Sequence, residues 1–173
     1  MKNASLTNNS EFDLPAHTGT HVDAPGHVFN DYFDAGFDVD QLDLDVLNVA
    51  FVLNCAYVQN DGGLDLRIKR FGFQIKRLMH RKEFDSSFVG FTEDGAKWVV
   101  DNTDIKLVGT DYFSIATYDE AIPAHVAFLR GREIIPVEGL KLDDIQPGNY
   151  SVHCLPLRLL GAEGAPTRCI LIK

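Results

Sequence analysis

The sequence predicts an α/β fold in which a mixed β-sheet and packed helices form a single domain. Residues 49–58 are an almost continuous apolar run, which is typical of a central strand buried on both faces. A helical pattern at 92–103, expected to pack against that sheet, precedes a short strand pattern at 105–109, and this alternation is typical of α/β folds. The length of 173 residues suits one domain, with 1–11 as a flexible head.

The first half of the chain contains two charged stretches. Residues 31–45 include six aspartates, but 38–43 lacks the glycine of an EF-hand calcium loop, so we expect an amphipathic turn with a solvated acidic face. Residues 67–82 hold seven of the sixteen Lys and Arg residues among apolar ones, which indicates a solvated basic face over a buried one. Before both stretches, residues 12–14 are expected to form a short strand.

Capping and turn residues place the later elements. Thr92 is a good N-cap for the helix at 92–103. Pro123 suits the first position of a second helix, which Gly131 would end. Strands are then expected at the end of the chain, over 133–138, 150–160 and 167–172.

The composition narrows the classes of partner and compartment. A net charge of −9 disfavours nucleic acid or an anionic membrane as the main partner. No apolar run approaches the roughly 18 residues of a membrane span, and residues 1–10 lack the apolar segment of a secretory signal. Cys55, Cys154 and Cys169 are odd in number and far apart, so we expect reduced core cysteines in a cytoplasmic protein, with no disulfide framework.

The stretch from His17 to His27 holds three of the six histidines and one aspartate within eleven residues. Imidazole and carboxylate groups are the usual nitrogen and oxygen ligands of zinc, and they also suit manganese. The intervening glycines and proline disfavour a helix. Even steps separate His17, His21 and Asp23, which would place them on one face of an extended segment. The stretch therefore predicts a divalent-metal site.

The pattern H-x-G-T-H-x-D-x-P-x-H at 17–27 resembles the signature of the cyclase-like metal-dependent hydrolases. This family includes bacterial kynurenine formamidases and isatin hydrolases. Gly109, Asp111 and Ser114 also match the family, which more often has Asn at the position of Gly139. The resemblance implies the swivelling β/β/α fold of the family, a small-molecule amide as substrate, and a homo-oligomer, either a dimer or a tetramer.

The resemblance also implies the remaining metal ligands. In the family a histidine on a helix and a glutamate at a strand end complete the site, and His125 and Glu138 match them. The five candidate ligands are then His17, His21, Asp23, His125 and Glu138. The expected cofactor is zinc, or alternatively manganese, with one or two ions per chain. Because a catalytic zinc usually takes three protein ligands, five ligands favour two ions bridged by Asp23, with His17 and His21 on one and His125 and Glu138 on the other.

These residues predict a hydrolase that cleaves the C–N bond of an N-formyl aryl amine or a cyclic amide. Coordination can bring the pKa of water from about 15.7 towards about 7, so that metal-activated water can act as the nucleophile. His27 resembles the histidine that is not a ligand in the family, and we expect it to carry a proton to the leaving nitrogen. Phe29, Phe33 and Phe37 could form an aromatic wall, although core packing is the favoured expectation.

Two alternative functions remain open from the sequence. A lyase or cyclase could use the same metal for dehydration or ring closure. A non-catalytic protein could bind the metal for a structural or regulatory purpose. Assays with N-formylkynurenine and isatin would separate hydrolysis from the first alternative, and the full set of site residues disfavours the second.

Overall fold

The computed structural model describes residues 9–53, 55–56, 72–73, 84, 86–88, 90–145 and 148–173. At 49–53, 55–56, 72–73 and 148–149 it describes the backbone alone. The interpretation of 67–82 as a basic face over a buried one therefore lies outside the described residues.

The described chain contains eight β-strands and four α-helices. The strands are β1 (His21–Asp23), β2 (Asn48–Leu53), β3 (Cys55–Ala56), β4 (Gly72–Phe73), β5 (Leu107–Gly109), β6 (Ile135–Glu138), β7 (Gly148–Pro156) and β8 (Gly164–Ile172). The helices are α1 (Asn30–Asp34), α2 (Leu44–Leu47), α3 (Glu93–Asn102) and α4 (Ala121–Arg130), with short 3-10 turns at Pro25–His27 and Val39–Gln41. None of the helices in these ranges is long and apolar enough to cross a membrane.

Six of these strands form one mixed sheet in the order β2-β7-β8-β1-β6-β5, and β3 and β4 form a separate parallel pair. Strands β5 and β6 are parallel, whereas the other neighbours in the large sheet are antiparallel. The predicted α/β class with a mixed sheet is confirmed. The central place expected for 49–58 is corrected for the part that the structure places in this sheet, because β2 ends the described strand order and β8 and β1 occupy its middle. Residues 54, 57 and 58 of that run lie outside the described residues. An apolar run indicates burial but does not define strand order.

Two apolar clusters flank the sheet. One joins β1, β6, β7 and β8 to the segments around Val39 and Leu47, and Val22 and Val137 are fully buried within it. The other joins α3, α4 and β5, and it includes Val99, Phe128 and Val108. The predicted helix at 92–103 is confirmed as α3, and it packs as expected against the sheet, through β5 and together with α4.

Local chemistry explains the helix ends. The hydroxyl of Thr92 accepts a hydrogen bond from the Gly95 backbone N–H at 3.2 Å, as expected for an N-cap. Helix α4 starts at Ala121, two residues before the predicted Pro123. Proline is tolerated there because the first N–H groups of a helix have no partner within the helix. His125 is consequently the fifth residue of α4 and lies beyond the first turn.

Two other local expectations are corrected in the first half of the chain. Residues 12–14 form no strand, and Phe12 is 77% exposed. The acidic stretch forms α1, a 3-10 turn and α2, in which Leu47 is buried and Leu44 is exposed. Its amphipathic character is as predicted, but the stretch contains several turns instead of one.

The reduced state expected for the C-terminal cysteines is wrong. Cys154 in β7 and Cys169 in β8 are bonded as a disulfide, with their Cα atoms 4.1 Å apart. They are direct partners in the antiparallel register of the two strands. The spacing of cysteines along a sequence does not reveal such pairing, because it depends on the strand register.

Candidate metal centre

The chain before β1 bends so that His17 returns to the strand. Gly19 has φ +65°, a conformation that residues with a side chain rarely adopt. The chain bends there, and β1 covers only His21–Asp23. His17 nevertheless reaches the aspartate, with its Nδ1 2.9 Å from Asp23 Oδ1. The three side chains meet as predicted, although a bend brings His17 there and the expected continuous extended segment does not form.

Strand pairing brings Glu138 to the same place. His21 and Glu138 are direct partners across β1 and β6, and His21 Nε2 lies 3.4 Å from Glu138 Oε2. Glu138 Oε1 accepts a hydrogen bond from the Ile115 backbone N–H at 2.7 Å. After Glu138 the backbone turns at Gly139, where φ is +65°. A Cβ atom at Gly139 would lie 2.5 Å from the Gly19 carbonyl oxygen, so the close approach of the two segments requires glycine here.

His125 approaches the carboxylates from α4. Its Nδ1–H donates to the Ala121 carbonyl at 2.6 Å, and its Nε2 lies 3.0 Å from Glu138 Oε1 and 3.5 Å from Asp23 Oδ2. His21 is held in the same way, because its Nδ1–H donates to the Gly19 carbonyl at 2.9 Å. Backbone carbonyls thus turn the Nε2 atoms of both imidazoles towards the carboxylates, an arrangement typical of histidine ligands of metals.

The side chains of Asp23, His21, His125 and Glu138 are buried, and their charges interact at short range. Burial raises the pKa of the Asp23 carboxyl, but the imidazoles of His125, 3.5 Å from Oδ2, and His17, 2.9 Å from Oδ1, outweigh this effect and hold the pKa well below its usual range. Burial lowers the pKa of His125, yet the nearby carboxylates of Asp23 and Glu138 raise it to about 10. The pKa of His21 is also raised, since its hydrogen bonds to Glu138 and Gly19 outweigh burial. The two buried carboxylates therefore require positive charge, from protons or from a cation.

The donor atoms fit a divalent ion. There are two sets of candidate ligand atoms, and within each set the atoms lie within 4.8 Å of one another. One set comes from His17, Asp23 and His27, and the other from His21, Asp23 and Glu138. Asp23 belongs to both sets. Within the described residues, the buried atoms Asp23 Oδ2 and His17 Nε2 have no hydrogen-bond partner. Buried polar atoms are normally paired, so these two atoms are available as metal ligands.

These two sets assign ligands to ions differently from the sequence-based prediction, which places His17 and His21 on one ion and His125 and Glu138 on the other. His21 is grouped with Glu138, and His27 lies close enough to His17 and Asp23 to join them around an ion. The ring centroids of His17 and His27 are 4.0 Å apart. The partition into two ions and the role of His27 as a non-ligand both stay predictions.

A cavity of about 400 Å³ opens onto the cluster. Its lining includes four histidines and Glu138, together with Phe113, Ser114 and Ile122. This volume lies within the range of about 300–1,000 Å³ that is common for small-molecule sites. Ser114, which the family resemblance identified, thus lines the cavity.

The aromatic side chain of the cavity is Phe113, whereas core packing, the favoured expectation for Phe29, Phe33 and Phe37, holds for Phe29. The described lining of this cavity contains Phe113 and does not contain Phe29, Phe33 or Phe37. Phe29 packs against the core, and the Arg132 guanidinium lies 4.3 Å from the ring centre of Phe37. Sequence reasoning missed Phe113, although its position next to Ser114 in the matched segment was an available signal.

A family model described as "Putative cyclase" matches residues 2–117. "Cyclase-like protein 3" of Oryza sativa subsp. japonica is 58% identical, and the match covers 100% of this chain and 68% of that protein. "Kynurenine formamidase" of Salinibacter ruber is 32% identical, with 96% of this chain and 81% of that protein covered.

Solved structures show the same fold. "The structure of predicted metal-dependent hydrolase from Bacillus stearothermophilus" has a TM-score of 0.73 and 28% identity, covering 99% of this chain and 83% of that one. "Isatin hydrolase A" from Ralstonia solanacearum has a TM-score of 0.68 at 21% identity, covering 91% and 73%, which shows similarity of fold alone.

Proposed function

Because the chain belongs to the cyclase family, which includes metal-dependent hydrolases, we propose that it hydrolyses the C–N bond of an N-formyl aryl amine or a cyclic amide. The observation that carries the proposal is the state of Asp23. This carboxylate is 1% exposed, its Oδ2 has no hydrogen-bond partner among the described residues, and three histidines surround it. A buried carboxylate in such surroundings is suited to a divalent cation.

The proposed ligands are His17, His21, Asp23, His125 and Glu138. Zinc is the expected ion and manganese the alternative, since both accept imidazole and carboxylate ligands. When bound, such an ion polarises a carbonyl and makes water more acidic. The protein contributes rigid placement, because the Gly19 and Ala121 carbonyls orient His21 and His125.

His27 is the proposed proton carrier. It lines the cavity beside the ligands. Burial lowers its pKa more than the nearby Asp23 carboxylate raises it, so its imidazole is neutral at neutral pH and can accept a proton. Water attacks the carbonyl carbon and passes a proton to His27, which then gives it to the nitrogen as the C–N bond breaks. The products of an N-formyl aryl amine are formate and the aryl amine.

The names of the most similar relatives favour a second candidate. Proteins 52–58% identical to this chain are called cyclase-like, whereas the kynurenine formamidases are 29–32% identical. A lyase or cyclase with the same metal would catalyse dehydration or ring closure, without cleaving an amide. Product analysis separates the two functions, because hydrolysis of formanilide yields formate and aniline in equal amounts.

The test is an amide panel on purified protein with measured metal content. We expect metal-dependent release of formate from formanilide or N-formylkynurenine, or ring opening of isatin. Chelation should abolish this activity and zinc or manganese should restore it. His153→Ala is a matched control, since His153 contacts Asn48 and Ser151 and lies outside the cluster. Metal-loaded protein that hydrolyses none of these amides would contradict the proposal.

The cellular compartment and the oligomeric state are also part of this proposal. A cytoplasmic location remains a prediction, and the Cys154–Cys169 disulfide weighs against it because such bonds persist mainly in oxidising compartments. A dimer or tetramer is proposed from the family resemblance. Sedimentation of the purified protein tests the assembly, and localisation of the tagged protein in cells tests the compartment.

A further inference from the structure

An aromatic cluster adjoins the metal cavity. The ring of Phe113 lies 4.5 to 5.2 Å, centre to centre, from the rings of Phe84, Phe88 and Tyr112. Phe88 and Tyr112 are buried, at 6% and 4% exposure, and their rings pack against Phe113. Phe113 itself is 44% exposed and lines the cavity. Phe113 therefore presents an apolar ring, held by contacts with neighbouring aromatic rings, to a ligand in the cavity.

A second apolar side chain lines the cavity from α4. Ile122 is 65% exposed, and it precedes His125 by three residues, a spacing that places both on the same face of a helix. Phe113 is similarly tied to a ligand, because Ile115, two residues later, donates its N–H to Glu138. Both apolar groups are thus fixed relative to the metal ligands by short lengths of chain.

We propose that Phe113 and Ile122 bind the aryl ring of the substrate, and that the edge of the ring facing away from the metal carries no carboxylate. This inference rests on the proposed amide hydrolysis. Among the lining residues that the structure describes there is no lysine or arginine that could pair with a carboxylate. Moving an unpaired carboxylate from water to apolar side chains is costly, whereas an uncharged ring gains contact there.

Two substrates that differ in one group test the charge requirement. Formanilide and 4-formamidobenzoate share the ring and the amide, and the second adds a carboxylate on the far edge of the ring. We expect kcat/KM to be at least about tenfold higher for formanilide, in line with the cost of an unpaired charge. Equal values, or a preference for 4-formamidobenzoate, would overturn the inference while leaving amide hydrolysis intact.

Variants of the aromatic cluster test the contact. In Phe113→Ala, the preference for formanilide over N-methylformamide should fall roughly five- to tenfold through a higher KM for formanilide, as expected for a lost aromatic contact. Phe113→Tyr keeps a ring and should retain most of the preference. Tyr118→Ala is the matched control, because Tyr118 is an exposed ring that contacts Phe84 but does not line the cavity. An unchanged preference in Phe113→Ala would overturn the inference.

Binding to metal-free protein separates this inference from the proposed function. Acetanilide and 4-acetamidobenzoate can be titrated without any turnover. We expect acetanilide to bind at least about tenfold more tightly than 4-acetamidobenzoate, and its affinity to fall in Phe113→Ala but not in Tyr118→Ala. If no amide is hydrolysed, the proposed function fails, and these titrations still decide the inference. Acetanilide affinity that is the same in wild type and Phe113→Ala would contradict it.

Discussion

Gly164 leaves no room for a side chain beside His17. A Cβ atom at Gly164 would lie 2.6 Å from His17 Cε1 and 2.8 Å from the Val22 carbonyl oxygen. Gly164 is the register partner of Asp23 across β8 and β1. The close approach of the β8 backbone thus helps to hold the His17 ring at its 2.9 Å contact with Asp23.

The first prediction is that Gly164→Ala weakens metal binding and destabilises the fold. The added methyl group must displace His17 or separate β8 from β1, and such overpacking typically costs about 1–3 kcal/mol. Urea unfolding and zinc titration measure the two effects. Gly131→Ala is the control, because Gly131 has φ −77° and nothing within 4 Å of its Cβ position. Wild-type zinc affinity in Gly164→Ala would show that the ring does not depend on this contact.

The second prediction concerns His27. If it carries protons, His27→Ala keeps its metal and loses about 10²–10⁴-fold in kcat, the usual contribution of a general acid or base. The variant is compared with His153→Ala by elemental analysis and by formate release. A loss of metal in His27→Ala would make His27 a ligand, as its proximity to His17 and Asp23 allows, and full activity would leave it without either role.

The third prediction concerns the disulfide. Of the three cysteines, two are bonded, so unfolded but unreduced protein should show one free thiol per chain. The double variant Cys154→Ala with Cys169→Ala should lose about 2–4 kcal/mol of unfolding free energy, since the bond closes a loop across 15 positions. Thiol titration and urea unfolding measure these quantities. Three free thiols would contradict the disulfide and agree with the reduced cysteines that the sequence led us to expect.

Local signals in the sequence predicted local structure well. The eleven residues from His17 to His27 identified most of the cluster, because their chemistry and their proximity are both visible in the sequence. Thr92 fixed the start of α3 in the same way, through a hydrogen bond to a residue three positions later. His125 and Glu138 came from the family resemblance, since no local pattern links them to β1.

Relations between distant segments could not be predicted. The pairing of Cys154 with Cys169 and of His21 with Glu138 depends on strand register, which apolar patterns do not define. The position of β2 at one end of the described sheet has the same origin. That residues 1–173 form one domain remains a prediction.

The most direct test of the account is the metal content of purified protein by elemental analysis. Because Asp23 belongs to both sets of candidate ligand atoms, Asp23→Asn should weaken both ion positions, whereas Glu138→Gln should chiefly weaken one. We expect two divalent ions per wild-type chain, about one in Glu138→Gln and close to none in Asp23→Asn, in keeping with paired catalytic metals that share a bridging group. Wild type saturated at one ion, with Glu138→Gln unaffected, would contradict the paired site, and metal-binding by Asp23→Asn equal to that of wild type would contradict the central role of Asp23.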